Sequence, residues 1–321
     1  MNDYKNEIQV SVCVVTYNQE EYIAECLESL VHQVTNFKFE IIVGEDCSTD
    51  NTRSIVQQYV EKYPNLIVPL FHQNNVGAAE NVLQVYKKAK GKYIAHIDGD
   101  DMALPNKLQK QFDTMEKNPQ AIICSHNVSE IKENVVLKNC YWNHPEGEYS
   151  YLDLIKKLPF FAHSSKFFRV LDEIDLSKIL NEREVLDIEL HLYQTLNGTI
   201  IHLNEHYGIY RSGVGISAAK DSKINYDMIK RVKNIYENLL TTNPETSEEI
   251  RKAYASYLLG TAASFAVIES NDIKMKQYIL ESFNQGFFTK KQIIMYFLAI
   301  SPKTGVKILK FKHKLIKYKS N

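Results

Sequence analysis

The chain has 321 residues, of which 44% are hydrophobic and 24% are charged, and its formal net charge is −1. This composition excludes an intrinsically disordered protein, and the length is typical of one large domain with an appendage or of two smaller domains. The longest apolar run, Ile293–Ile300, is too short to cross a bilayer, and the polar N-terminal residues predict no export signal. Five cysteines without a CxxC pair predict reduced thiols in a cytoplasmic protein.

Charge is distributed unevenly along the chain. Residues 1–220 contain 21 basic and 30 acidic side chains, whereas residues 221–321 contain 17 basic and 9 acidic side chains. An acidic first part argues against nucleic acid as a partner and suits a divalent cation. The basic C-terminal part needs an explanation of its own.

The first hundred residues alternate short β-branched runs with amphipathic segments, a pattern typical of parallel strands joined by helices. Four strands are predicted, at residues 10–15, 39–43, 66–71 and 93–97. Between them the apolar spacing predicts three helices, and Asn18 with Glu21 predicts a capping box at the start of the first. Pro64 ends the second helix, and Gly91 is predicted to cap the third.

The pattern is less regular after residue 101. It predicts helices around residues 108–115 and 185–196, and strands at residues 121–125, 199–203 and 208–211. From about residue 222 onward only helical patterns occur. We therefore predict an α/β domain over residues 1–220 and an all-helical region over residues 221–321.

Polar residues follow three of the predicted strands at the point where each strand ends. These segments are Thr16–Asn18, Glu45–Asp50 and Asp98–Asp101. Because an open parallel sheet binds ligands at the carboxyl ends of its strands, we expect a binding site there. Neither a GxGxxG nor a GxxxxGK[ST] motif follows the first strand, which predicts a nucleotide held in a different way.

Asp98, Asp100 and Asp101 place three carboxylates within four residues, directly after a strand predicted to be buried. Such a group requires a cation among its members, and oxygen ligands on a short loop suit Mg²⁺ or Mn²⁺. A solvated acidic turn is the alternative interpretation.

Four ordered segments resemble glycosyltransferase family 2. They are VCVVTYNQEEYIAECLESLVHQ (residues 12–33), EIIVGEDCSTDNT (40–52), Asn75-Val-Gly with Asn81, and YIAHIDGDD (93–101). The resemblance extends over about residues 9–215. It implies an inverting enzyme with the GT-A fold, a Rossmann-like mixed sheet flanked by helices.

The resemblance implies a nucleotide site. Thr16 and Tyr17 match the first nucleotide contacts of the family, and Asp46 matches the acid that binds the base or ribose. Capping the following helix is the alternative role for Asp46. Asn81 falls near the nucleotide, although Glu80 occupies a position where relatives often have arginine.

The resemblance also implies a metal and a base. Asp98 and Asp100 match the DxD motif that binds Mn²⁺ or Mg²⁺, and Asp187 matches the general base that removes the proton of the acceptor. Glu189 is the next acid of that motif, and Glu184 is the alternative base. An ordinary acid in the first turn of a helix is the other reading of Asp187.

Further substrate contacts are predicted around this centre. Arg211 would bind the diphosphate or pair with an acid at the sheet edge. Asp101, His163 and Glu189 are candidate substrate contacts, and Trp142 would stack on a sugar or pack inside the fold.

The predicted partners are a nucleotide-sugar donor, by family frequency a UDP-sugar, and a glycan or lipid-linked acceptor of bacterial surface polysaccharide synthesis. A catalytically inactive GT-A module that binds nucleotide-sugar or partners is the alternative.

Residues 303–319 contain seven lysines and no acid, with apolar residues at helical spacing. This pattern predicts a helix in a membrane interface. A solvated basic terminus and a contact in a homo-oligomer are the alternatives.

Overall fold

The structure, a computed structural model, describes residues 7–132, 135–137, 143–171, 187–214 and 224–319. The described residues form two compact units, one within Met1–Leu154 and Leu158–Ala218, the other within Ile155–Lys157 and Ala219–Asn321. The prediction that a separate domain begins at residue 221 concerns independent folding and stays a prediction.

The first unit begins with the strand–helix repeats that the hydrophobic pattern predicts. They are β1 (Ile8–Thr16), α1 (Ile23–Val31), β2 (Lys38–Glu45), α2 (Thr52–Lys62), β3 (Ile67–Phe71), α3 (Ala78–Lys88) and β4 (Tyr93–Asp98). All four predicted strands are confirmed. The predicted capping box is wrong, because α1 has no side-chain cap and Asn18, at a positive φ of 51°, accepts a hydrogen bond from the Thr49 amide.

The chain continues with shorter elements. They are β5 (Met102–Ala103), α4 (Lys107–Lys117), β6 (Ala121–Lys132), β7 (Val135–Leu137), β8 (Gly147–Tyr149), α5 (Tyr151–Lys156), β9 (Phe167–Arg169), α6 (Asp187–Thr195) and β10 (Thr199–Arg211). The two strands predicted after residue 198 form the single strand β10, whose register against β6 shifts between Leu203 and Gly208. In the sequence this irregularity looks like a gap between two strands, because the sequence does not show that both parts pair with the same strand, β6.

All ten strands of the described residues belong to one mixed sheet. Their order is β3-β2-β1-β4-β9-β6-β10-β5, with β7 beside β6 and β8 beside β10. Strand β1 runs parallel to β2 and β4, whereas β9 is antiparallel to both β4 and β6. The predicted mixed sheet with flanking helices is confirmed.

The register aligns the carboxyl ends of the central strands. Thr16 pairs with Glu45, and Val15 pairs with Asp98. Strand β1 is buried along most of its length, as is typical of a strand covered on both faces. Each large aliphatic side chain buried there contributes about 1.5–3 kcal/mol, so the loops that follow these strands start from a stable frame.

The second unit contains helices and no strand within residues 224–319, as predicted for this region. They are α7 (Tyr226–Thr242), α8 (Ser247–Ser264), α9 (Asp272–Asn284), α10 (Lys290–Ile300) and α11 (Pro302–Lys319). In the part of the chain that the structure describes, no helix is long and apolar enough to span a bilayer.

Candidate functional site

The carboxyl ends of β1, β2 and β4 bring the predicted nucleotide and metal residues to one edge of the sheet. The Gly99 amide donates to the Val15 carbonyl at 2.9 Å, and the Asp46 amide donates to the Thr16 carbonyl at 3.1 Å. Thr16 is itself buried, whereas the Tyr17 side chain is 44% exposed. The accessible aromatic ring at this edge is therefore that of Tyr17.

Asp46 binds the loop between β3 and α3. Its carboxylate accepts hydrogen bonds from the backbone amides of Val76 (2.7 Å) and Gly77 (2.9 Å), and its carbonyl accepts one from Asn75. Gly77 has a φ of 87°, which favours glycine. The alternative role of Asp46 as a helix cap is wrong, and its contact with a nucleotide stays a prediction.

Asn81 lies inside the fold. Its amide nitrogen donates to the Gly44 carbonyl at 2.9 Å, and its oxygen lies 3.1 Å from Nε2 of His72. Only glycine fits at position 44, because a Cβ there would lie 2.1 Å from the Asn81 oxygen. Packing against β2 leaves Asn81 2% exposed. Its contact with a nucleotide stays a prediction.

Asp98, the last residue of β4, is held by neighbouring side chains. The Ser164 hydroxyl donates to its carboxylate at 3.2 Å and accepts from its backbone amide at 3.0 Å, while Nε2 of His96 lies 3.3 Å away. Burial alone would raise the pKa of Asp98, but the hydrogen bonds from His96 and Ser164 and the charge of Lys166 lower it. An ionised carboxylate is the form that binds a cation.

The pKa values of Asp100 and Asp101 are raised, in contrast to that of Asp98. Burial and then the charge of Asp98 raise the pKa of Asp100 to about 6. Asp101 is 1% exposed, and one of its carboxylate oxygens accepts from the Arg211 amide at 2.8 Å. Burial and the two neighbouring acids raise the pKa of Asp101 well above its usual value. Asp101 therefore lies inside the fold, and its predicted substrate contact stays a prediction.

The carboxylates of Asp98 and Asp100 are chemically suited to a divalent cation whose remaining ligands would come from a diphosphate and water. Within the described residues, no three His, Cys, Asp or Glu side chains converge in a metal-binding arrangement. Asp98 and Asp100 provide two carboxylates, and Mg²⁺ is usually bound by one or two carboxylates together with phosphate oxygens and water. Mn²⁺ takes the same oxygen ligands. Binding of Mn²⁺ or Mg²⁺ stays a prediction.

Helix α6 begins with the predicted base. The Asp187 side chain is exposed and Glu189 is half-buried. Loss of hydration to the surrounding protein, and then the negative charge of Asp98, raise the pKa of Asp187. The positive charge of Lys166 opposes this effect. The role of Asp187 as the general base stays a prediction. Two further residues of the sequence analysis lie outside the described residues: Glu184 and Trp142.

His96, which adjoins Asp98, belongs to a group of three histidines. The His163 ring lies against the His96 ring with centroids 3.9 Å apart, and its Nδ1 is 2.9 Å from Nε2 of His191. Burial and the neighbouring basic groups lower the pKa of all three rings, which favours their neutral forms. His163 is therefore engaged by other histidines, and its predicted acceptor contact stays a prediction. Neither His96 nor His191 was predicted from the sequence.

Lys166 is the second feature that the sequence did not predict. It is fully buried, and its ammonium has no hydrogen-bond partner among the described residues. The ammonium faces the rings of Tyr86 and Phe168, at 5.6 and 5.0 Å from their centroids. Burial lowers the pKa of Lys166 to about 7, although the negative charges of Asp187 and Asp98 act in the opposite direction. Its position directly before the apolar strand β9 is the only sequence signal of this burial.

Arg211 joins β10 to the acidic loop. Its guanidinium donates to the Asp100 carbonyl at 3.0 Å and to the Glu25 carboxylate at 2.6 Å, and it lies 4.6 Å from the centroid of the Tyr22 ring. The alternative considered for Arg211 was an ion pair with an acid at the sheet edge, and the observed partner is instead Glu25 in the first turn of α1. Contact with a diphosphate stays a prediction.

The geometry agrees with known proteins. A family model described as "Glycosyl transferase family 2" matches residues 11–174, about half of the chain. The crystal structure of S. aureus TarS residues 1–349 in complex with UDP-GlcNAc matches with a TM-score of 0.67 and 19% identity, over 96% of this chain and 92% of that chain. At this identity the likeness shows the fold alone, and the GT-A fold is confirmed.

Two relatives are similar in sequence. An uncharacterized protein of Mycobacterium tuberculosis is 31% identical over 222 residues, which are 67% of this chain but only 62% of that protein. The putative teichuronic acid biosynthesis glycosyltransferase TuaG of Bacillus subtilis is 39% identical over 106 residues, 33% of this chain and 41% of that protein. The family-model match over residues 11–174, together with the motifs at the ends of β1, β2 and β4, shows that the chain belongs to glycosyltransferase family 2.

Proposed function

We propose that this protein is a metal-dependent inverting glycosyltransferase that transfers a sugar from a UDP-sugar to a hydroxyl of a glycan. The proposal depends most on one observation: β1 pairs in register with β2 and β4, so that the nucleotide and metal motifs lie at one edge of the sheet. The charge of Asp98 at that edge raises the pKa of both Asp100 and Asp187. The two predicted metal ligands and the predicted base therefore belong to one electrostatic site.

A uridine nucleotide fits the edge formed by β1 and β2. The exposed Tyr17 ring offers a stacking surface for a base, and Asp46 holds the neighbouring loop through Val76 and Gly77. The structural neighbour TarS has been solved with UDP-GlcNAc and with UDP, which supports a UDP-sugar as the donor.

In the proposed reaction Asp187 accepts the proton of the acceptor hydroxyl while the oxygen of that hydroxyl bonds to the anomeric carbon of the donor. The bond from that carbon to the diphosphate oxygen breaks, UDP leaves from the opposite face, and the configuration inverts. A carboxylate with a raised pKa is suited to this proton transfer. Asp98 and Asp100 would hold Mn²⁺ or Mg²⁺, which neutralises charge on the leaving diphosphate.

The acceptor that we propose is a bacterial surface glycan or its lipid-linked precursor. Two observations support it: the name of the relative TuaG refers to teichuronic acid biosynthesis, and residues 303–319 carry seven lysines without an acid. We infer that the protein binds peripherally to a membrane through this segment while it acts on such an acceptor.

The test is a thermal-shift screen of nucleotide-sugars with Mn²⁺, followed by NMR analysis of the product. A ligand at about 100 times its Kd should stabilise the protein by about 2.7 kcal/mol. We expect one UDP-sugar to stabilise the wild type in the presence of Mn²⁺ but not with chelator, and the product to have inverted configuration. A retained configuration would refute the mechanism, and binding without turnover on any glycan acceptor would favour the inactive nucleotide-sugar-binding module.

A further inference from the structure

Helix α10 exposes an apolar stripe. Ile293, Tyr296, Phe297 and Ile300 follow the spacing i, i+3, i+4 and i+7, which places them on one face of the helix. Their exposed fractions, with that of the adjacent Ile294, are 42% for Ile293, 62% for Ile294, 44% for Tyr296, 65% for Phe297 and 64% for Ile300. A contiguous exposed apolar surface of this kind marks an interaction site.

The orientation of α10 is fixed, so its apolar stripe cannot turn inward. Met295 and Ala299 are buried on the opposite face. Gln292 is also buried there, and its amide nitrogen donates to the carbonyls of Ser282 (3.2 Å) and Gly286 (2.8 Å). Rotating the helix would break these buried hydrogen bonds, which is costly because the polar groups would lose their partners.

Helix α11 packs closely against α10 and carries a second exposed stripe. A Cβ at Gly305 would lie 2.5 Å from the Leu298 carbonyl, so only glycine allows this approach. Ile308, Phe311 and Leu315, at spacing i, i+3 and i+7, are 48%, 65% and 48% exposed. Exposed lysines border this stripe on the helix surface: Lys303, Lys307, Lys312 and Lys314.

Charge indicates which partner covers these helices. Residues 282–321 contain nine lysines and no acidic residue. A second copy of the chain would oppose one lysine-rich face with another, and like charges brought together across an interface are unfavourable. An anionic bilayer offers both phosphate charge for the lysines and an apolar interior for the exposed side chains.

We propose that the exposed stripes of α10 and α11, with their lysines, form a docking surface for an anionic lipid bilayer. The surface includes α10 as well as the basic segment 303–319, and it lies in the second unit. The helices lie in the interface and do not cross it, since no helix among the described residues can span a bilayer. This docking surface deepens the peripheral membrane binding proposed above and rests on that part of the proposed function. Its test requires no turnover, so it can fail while the catalytic assignment stands.

The experiment is sedimentation of the full chain with phosphatidylcholine vesicles that contain about one third phosphatidylglycerol, against pure phosphatidylcholine. We expect wild type to bind the anionic vesicles at least about tenfold more strongly, with binding falling at high salt. Charge reversal of two exposed lysines, Lys307→Glu with Lys314→Glu, should remove this preference. Replacing two exposed apolar residues, Phe297→Ser with Ile300→Ser, should weaken binding at least about tenfold.

Matched controls lie elsewhere in the second unit. Lys252→Glu with Lys276→Glu makes the same charge change on α8 and α9, and Ile273→Ser removes an exposed isoleucine from α9. Both controls should bind the anionic vesicles like wild type. Equal binding to the two vesicle types, or equal losses in controls and test variants, would overturn the proposal. A concentration-dependent dimer that Phe297→Ser with Ile300→Ser abolishes would also overturn it, in favour of a second copy.

Discussion

The backbone amide of Arg211 donates a hydrogen bond of 2.8 Å to the carboxylate of Asp101, a residue 110 positions earlier in the chain. This bond joins the end of β10 to the acidic loop after β4. Because Asp101 is buried, it supports the loop that carries Asp98 and Asp100 and does not reach solvent.

We expect Asp101→Ala to lower the free energy of unfolding by about 1–3 kcal/mol, since the Arg211 amide loses its buried acceptor. Asp101→Asn keeps an acceptor oxygen and should be much less destabilising. The folded pKa of Asp101 is raised above its unfolded value, so wild type loses stability as pH rises above about 4 and the unfolded chain ionises first. Asn does not ionise and lacks this loss. The free energy of unfolding of Asp101→Asn, measured by urea denaturation, should therefore rise relative to that of wild type between acidic and neutral pH. Equal destabilisation by Ala and Asn would contradict the assignment.

Asp100→Asn should abolish Mn²⁺-dependent binding of UDP, and Asp98→Asn should weaken it strongly, because the diphosphate would meet an incomplete cation site. Isothermal titration with UDP, in Mn²⁺ and in chelator, measures this. Glu61→Gln is the matched neutralisation on the exposed part of α2 and should bind like wild type. If the two Asn variants keep the wild-type difference between Mn²⁺ and chelator, the metal assignment is wrong.

Binding of UDP with Mn²⁺ should weaken as pH falls below about 6. The pKa of Asp100 is raised to about 6, so this carboxyl takes up a proton below that value and becomes a poor metal ligand. Titrations between about pH 5 and pH 8 should show the decline in the wild type and a flat, weak response in Asp100→Asn. A wild-type profile that stays level through this range would be inconsistent with Asp100 as a ligand.

Asp187→Asn should keep donor affinity and stability while turnover falls by roughly 10²–10⁴-fold, the usual contribution of a positioned general base. The carboxamide has the same size but cannot accept the proton. Glu189→Gln, two residues along α6, is the neighbouring control and should retain far more activity. Near-normal turnover in Asp187→Asn would shift the assignment to Glu184 or Glu189.

Lys166→Met should raise the melting temperature at neutral pH, because it removes a buried ammonium without a hydrogen-bond partner. The folded pKa of Lys166 is about 7 and its unfolded value is about 10.4, so wild type gains stability as pH rises between these values. The advantage of the variant should therefore shrink between about pH 7 and pH 10. Loss of the positive charge should also shift the acidic limb of the pH–rate profile to higher pH, since Lys166 lowers the pKa of Asp187. An unchanged limb would limit Lys166 to a structural role.

Local patterns were sufficient for the strand–helix repeats and for the positions of the acidic motifs. Apolar runs such as residues 10–15 and 93–97 must be buried, and residues that follow parallel strands meet at one sheet edge. The family resemblance supplied the fold, which the structural comparison confirms. The capping box at Asn18 failed because the backbone amide of Thr49 across the loop, and not the helix end, donates to the Asn18 side chain.

Tertiary structure alone decided which polar residues are buried. Lys166 and His96 come together because β9 inserts antiparallel beside β4, a pairing between segments about 70 residues apart that no local period encodes. The same insertion places Ser164 against Asp98. Likewise, the sequence showed that α10 is apolar, but only packing showed which face is covered. Periodicity identifies apolar faces, whereas burial depends on what the rest of the chain brings against them.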